Sequence, residues 1–152
     1  MRFVSACLMV GFLPSAAAAA VPGEVSTCLK AAGPSYTLNN KIDPSYLKGD
    51  FDGDGQPDYA VVVSRGKQQG IAVCRTGAAA PILLGAGAAF NDMPNLDFTA
   101  WSLHPKSRRV PRGLGQKRPP VLTGDALLLE WESASAIVYW NGKRFVWYQQ
   151  GD

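Results

Sequence analysis

Soft metal ligands are scarce in this chain: of 152 residues, one is histidine, His104, and three are cysteine. A tetrahedral zinc site, which draws most of its ligands from those two residue types, is therefore disfavoured. No serine stands in Gly-x-Ser-x-Gly, so a hydrolase triad has no local support. The glycines of residues 77–90 are not followed by Lys and Ser or Thr, which removes a phosphate-binding loop, and no nucleic-acid recognition motif is present. Beyond the first twenty residues no apolar run approaches the roughly 20 residues that a membrane span requires. Acidic residues are missing altogether between Phe98 and Gly124. With no catalytic constellation in view, the sequence predicts no enzyme.

The composition, 47% hydrophobic and 18% charged, is that of an ordinary globular protein with one core. Residues 1–20 are expected to be a signal peptide, with Arg2 as the positive start, residues 3–13 as the apolar region and small residues up to Ala18 or Ala20 for cleavage. The apolar region follows Cys7 rather than preceding it, which argues against a lipid-anchored cysteine. Residues 21–152 are then a single exported domain, periplasmic or secreted, with 14 basic and 12 acidic side chains. Two cysteines remain in it, Cys28 and Cys74. An even pair in an oxidising compartment predicts a disulfide, with two buried thiols as the alternative.

Val25, Cys28, Leu29 and Ala32 recur at helical spacing before Gly33-Pro34, so residues 23–33 read as a short helix. Residues 35–49 carry turn markers, with Tyr46 and Leu47 as anchors. Residues 59–64 and 71–75 read as a hairpin around a polar turn, and residues 81–84 as a short strand. Leu96, Phe98, Trp101 and Leu103 suggest a strand interrupted by a bend. In the C-terminal third, residues 125–131, 136–140 and 144–149 are strands. Asn141-Gly142 predicts a two-residue type I′ turn with positive φ at both positions. Tyr139, Trp140, Phe145, Trp147 and Tyr148 supply cross-strand aromatic pairs, either packing the sheet or leaving one face as a glycan platform. The expected fold class is α+β, mostly antiparallel β: a short N-terminal helix packed on a small sheet of hairpins.

The densest chemistry lies at Asp50-Phe51-Asp52-Gly53-Asp54-Gly55-Gln56-Pro57-Asp58. Carboxylates at relative positions 1, 3, 5 and 9, with a backbone carbonyl at position 7 on Gln56, suit a hard cation such as Ca²⁺, which takes oxygens at roughly 2.3–2.6 Å. Without a counter-ion, charges about 4 Å apart repel by roughly 4 kcal/mol at an effective dielectric near 20. An EF-hand would need Glu at position 12, where this chain has Val61.

Residues 49–61, the Asp-x-Asp-x-Asp-Gly-x-x-Asp core with the apolar strand after it, resemble the calcium loop of FG-GAP repeats, found in integrin α-chain propellers and in bacterial exported proteins. The resemblance covers about 13 residues. It implies side-chain ligands from Asp50, Asp52, Asp54 and Asp58, a main-chain ligand from Gln56, and Gly53 and Gly55 for the tight backbone. A single loop excludes a multi-bladed propeller. The phrase Tyr139-Trp140-Asn141-Gly142-Lys143-Arg144-Phe145 also resembles the closing hairpin of small exported proteins with one such loop.

Lys106, Arg108, Arg109, Arg112, Lys117 and Arg118 crowd a segment that Pro105, Pro111, Pro119 and Pro120 bar from being one helix. They are candidate contacts for an anionic partner, or else the charges of a solvated, mobile loop. The leading functional expectation is an exported calcium-binding β-rich module whose ion is structural and supports a protein or glycan contact. The second is a periplasmic binder or inhibitor of an anionic partner through residues 106–118. A glycan hydrolase using Glu130 and Glu132 near Asp125 is the third.

Overall fold

A computed structural model describes residues 20–151; the signal-peptide expectation for residues 1–20 falls, except for Ala20, outside the described residues. Helix α1 (Gly23–Ala32) follows Pro22 and stops at Gly33, whose φ of 109° lets its N–H reach the carbonyls of Leu29 and Lys30. Its inward face carries Val25 and Cys28, both buried.

Among the described residues nine strands form two antiparallel sheets. The first holds β1 (Thr37–Leu38), β2 (Tyr46–Gly49), β3 (Asp58–Arg65), β4 (Gln68–Cys74) and β5 (Ile82–Gly85). The second runs β6 (Ala100–His104), β7 (Ala126–Glu130), β8 (Ser135–Trp140) and β9 (Phe145–Gly151) in order. The predicted hairpins are thus divided between two sheets.

Strand alternation explains how the sheets stack, since successive side chains point to opposite faces. On β3, Val61 and Val63 join Val25, Cys28 and Ala72 under the helix, whereas Ala60 and Val62 join Ile71 and Val73 on the other face. That second face meets Trp101, Leu127, Leu129, Val138 and Phe145 of the second sheet in one core. The first sheet is consequently a middle layer, buried on both sides, and β3 is an unbroken apolar run for that reason. The outer face of the second sheet carries Ala126, Ile137 and Tyr148, and Val110 and Leu122 from the basic segment pack over it.

Residues 46–49, expected in a turn region, form β2. The cross-strand partner makes the difference: Tyr46 faces Val61 and Gly49 faces Asp58, pairings that a local reading of Asp43-Pro44 and Gly49 does not contain. Leu96 and Phe98 are buried but lie outside any strand. Their carbonyls accept from the Gln69 side-chain amide at 2.8 and 2.9 Å, which satisfies backbone that a strand would have paired. The β8–β9 turn is displaced by one residue from the expected type I′ position. The Asn141 N–H donates to the Arg144 carbonyl, Gly142 alone of the expected pair has positive φ, and the Asn141 side chain accepts from the amides of Lys143 and Arg144. An Asn side chain that bonds the backbone ahead of it stabilises this turn without entering the left-handed region itself.

Of the aromatic residues of the last hairpin, Trp140, Phe145 and Trp147 pack inward, whereas Tyr139 and Tyr148 lie on the outer face with Val110 and Leu122. Trp140 and Phe145 sit 5.2 Å apart, Trp147 contacts Trp131 at 5.5 Å, and all four lie against the shared core. Cys28 and Cys74 form the expected disulfide, with Cα atoms 5.7 Å apart, tying α1 to the end of β4.

Candidate metal centre

Because Gly49 pairs with Asp58, residues 50–57 are the loop of a β2–β3 hairpin, and the pairing returns the last carboxylate to the first. Phe51 plants its ring in the shared core, fully buried, and so fixes the start of the loop. Asp58 is fully buried at the other end. One of its oxygens accepts from the Phe51 N–H at 3.0 Å and the other from the Thr76 N–H at 2.9 Å. The carboxylate therefore joins both ends of its own loop to the chain leaving β4.

Three carboxylates converge: Asp50, Asp52 and Asp58 each offer an oxygen within 4.8 Å of the others. Asp54 lies outside this group and is exposed, its Oδ1 accepting from the Gln56 N–H at 2.7 Å. Two basic side chains border the cluster. Lys106 Nζ lies 2.9 Å from Asp50 Oδ2, and an Arg75 guanidinium nitrogen lies 3.4 Å from Asp52 Oδ2. Arg75 also sits over the Trp140 ring, 4.9 Å from its centre. Asp50 Oδ1 is buried and has no hydrogen-bond partner among the described residues. Such an oxygen is costly unless something donates to it or binds it.

These surroundings separate the acidities of the two end residues. For Asp50, burial alone raises the pKa, but hydrogen bonds from Lys106 and the Gly55 amide outweigh it and hold the carboxyl below its ordinary value. For Asp58, burial pushes the carboxyl up, Asp52 adds to the rise, and the amides of Thr76 and Phe51 only partly oppose it. The Lys106 ammonium is raised by its bond to Asp50.

No family model, curated protein or solved structure matches the chain.

The second sheet holds the loop from its far side. Asp125, 75 residues from Asp50, accepts from the Asp50 N–H through Oδ2 at 3.0 Å and from the Lys106 N–H through Oδ1 at 2.9 Å. The Asp125 N–H donates to the Asp50 carbonyl at 2.7 Å. In the sequence Asp125 reads only as the start of a strand and a neighbour of Glu130 and Glu132. No local pattern marks it as a loop partner, because its role comes entirely from the approach of the two sheets. Lys106 likewise faces Asp50 instead of standing free with the rest of the basic segment.

Gly124 makes that approach close. A β-carbon there would lie 2.6 Å from the Asp50 carbonyl oxygen and 2.7 Å from the Gly53 nitrogen. One at Gly53, whose φ is +78°, would lie 2.6 Å from the Thr123 oxygen. Gly124→Ala is therefore expected to cost about 2 kcal/mol, typical of overpacking against atoms that cannot rotate away. Urea denaturation checks this; an unchanged midpoint would mean that the loop and residues 123–125 separate freely.

The three residues considered for glycan hydrolysis occupy different settings. Glu130 is exposed at the end of β7, Glu132 is exposed in the turn beyond it, and both oxygens of Asp125 are bonded to backbone amides. His104 is buried, with Nε2 3.1 Å from the Arg108 carbonyl. Arg108, Arg109, Arg112 and Arg118 are exposed around a groove on the outer side of the second sheet, and Lys117, outside the groove's lining, is exposed as well.

Proposed function

We propose that the loop at residues 50–58 binds one Ca²⁺ as a structural clamp in an exported β-rich module, joining the hairpin β2–β3 to the entry of β7 and supporting a protein or glycan contact. The convergence of Asp50, Asp52 and Asp58, together with a buried Asp50 Oδ1 that has no hydrogen-bond partner among the described residues, carries this reading. The donors are all hard oxygens, the preference of Ca²⁺ and not of zinc or copper. Asp50, Asp52 and Asp58 would hold the ion, with Asp54 and the Gln56 carbonyl completing the ligand set that the FG-GAP resemblance implies. The bound charge would offset the mutual repulsion of the carboxylates and the burial cost of Asp58. Its contribution is order in the loop, with no reaction routed through it.

Titration calorimetry on the exported protein should give saturable calcium binding, and millimolar calcium should raise the melting temperature. At a free concentration a hundred times Kd the stabilisation is about 2.7 kcal/mol. Asp50→Asn together with Asp52→Asn should remove both signals while leaving the fold intact in chelator. Absence of heat and of any thermal shift in the native protein would sink the reading.

A further inference from the structure

We propose that residues 105–122 form a docking surface for an anionic lipid bilayer. Large apolar side chains that stand exposed are few among the described residues: Val21, Leu114 and Val121. Two of these belong to this one segment, and they are the most open, Leu114 at 88% and Val121 at 93%. An isolated exposed leucine needs no explanation. Here the pair stands among Arg108, Arg109, Arg112, Lys117 and Arg118, all exposed, in a stretch without a single acidic residue.

The segment is built to hold that arrangement. Val110 and the half-buried Leu122 anchor it to the outer face of the second sheet. The Tyr148 hydroxyl accepts from the Gly113 N–H at 3.3 Å and donates to the Lys117 carbonyl at 2.9 Å, closing the neck of a turn. Within the turn, the Gln116 N–H reaches the Gly113 carbonyl and Arg112 Nε reaches the Gln116 carbonyl. Leu114 is thus held away from the core at the tip. Between the two arms of the segment lies a groove of ≈ 710 Å³ walled by arginines and by Pro111, Pro119, Pro120 and Val121.

The chemistry selects the occupant. Cations beside exposed aliphatic side chains match a surface that offers phosphate headgroups above hydrocarbon. A soluble polyanion would use the arginines but gain nothing from Leu114 and Val121. Single-stranded nucleic acid would call for aromatic platforms, and no aromatic residue lines the groove. Of the residues that line the groove, Lys106 reaches the carboxylate loop, through Asp50, so the arginines and the two exposed aliphatic side chains carry the proposal and chelator keeps its test independent of calcium.

Vesicle co-sedimentation of the exported protein, in chelator, tests it. Binding is expected to vesicles of phosphatidylcholine with phosphatidylglycerol, to be absent with phosphatidylcholine alone, and to fall as salt is raised. Arg108→Glu with Arg109→Glu should lower the partition coefficient at least about tenfold. Leu114→Ser with Val121→Ser, which keeps every charge and alters only exposed positions, should also weaken binding at low salt. Undiminished binding by the serine variant would overturn the proposal and reduce the surface to a general polyanion site. Retention on heparin without any vesicle binding would overturn it equally.

Discussion

Replacing the Cys28–Cys74 disulfide with Cys28→Ala and Cys74→Ala is expected to lower the unfolding free energy by about 4 kcal/mol, the chain-entropy value for a loop of this length. The bridge spans 46 residues. That interval contains β1, β2, the carboxylate loop, β3 and all of β4, so its removal frees the unfolded chain across nearly the whole first sheet. The native state loses an attachment as well. Helix α1 has only 10 residues, too few to persist alone in water, and its burial rests on Val25 and Cys28 against Val61, Val63 and Ala72. Guanidinium denaturation of the native and double-alanine proteins measures the difference. A loss below about 1 kcal/mol would mean that packing under the helix suffices and that the entropic model fails for this loop.

Asp58→Ala should cost about 3 kcal/mol in chelator, because it strips the acceptor from two amides and leaves the Phe51 N–H buried without a partner. The Phe51 ring then loses the bond that sets its backbone, and the convergence of Asp50 and Asp52 goes with it. Asp58→Asn is the informative companion, since it keeps an acceptor while removing the charge. The sign of the pH effect follows from the raised folded pKa: the folded state holds the Asp58 proton more tightly than the unfolded chain does. Its contribution to stability is therefore fully present below the ordinary aspartate value of 3.8 and is lost as pH rises through the folded value. Urea midpoints in chelator across mildly acidic pH should show this decline in the native protein and less of it in Asp58→Asn. Identical profiles in the two proteins would remove Asp58 as its source. Asp50 contributes in the opposite sense, with stability present above 3.8 and lost as pH falls through its lowered folded value.

Both predictions rest on residues that the sequence had marked, but the partners were legible to different degrees. The disulfide followed from cysteine parity and an expected export compartment. The helix followed from the spacing of Val25, Cys28 and Leu29, and β3 from a run of β-branched residues. The carboxylates were visible as a pattern, yet which of them converge was not: Asp54 turns toward the Gln56 amide, a contact two residues away that spacing alone does not distinguish from an inward one. β2 is not legible in the sequence because its stability lies in pairing with β3. The basic segment also covers the second sheet, with Val110 and Leu122 as its anchors, a contact that its run of cations does not encode.

What the sequence by itself determined is local: the alternation that makes β3 and β7 two-faced, the carboxylate spacing of residues 50–58, and the proline-broken run of cations. Backbone geometry dictates these, since a strand must alternate and a short loop can reach only a few ångströms. Only the tertiary structure decided that Asp125 would clasp Asp50 from 75 residues away, that Lys106 would leave its basic neighbours to face that carboxylate, and that Gly124 would admit the loop to backbone contact. Those outcomes depend on how two sheets pack, a balance of many distant contacts of which no single stretch of chain carries the sign.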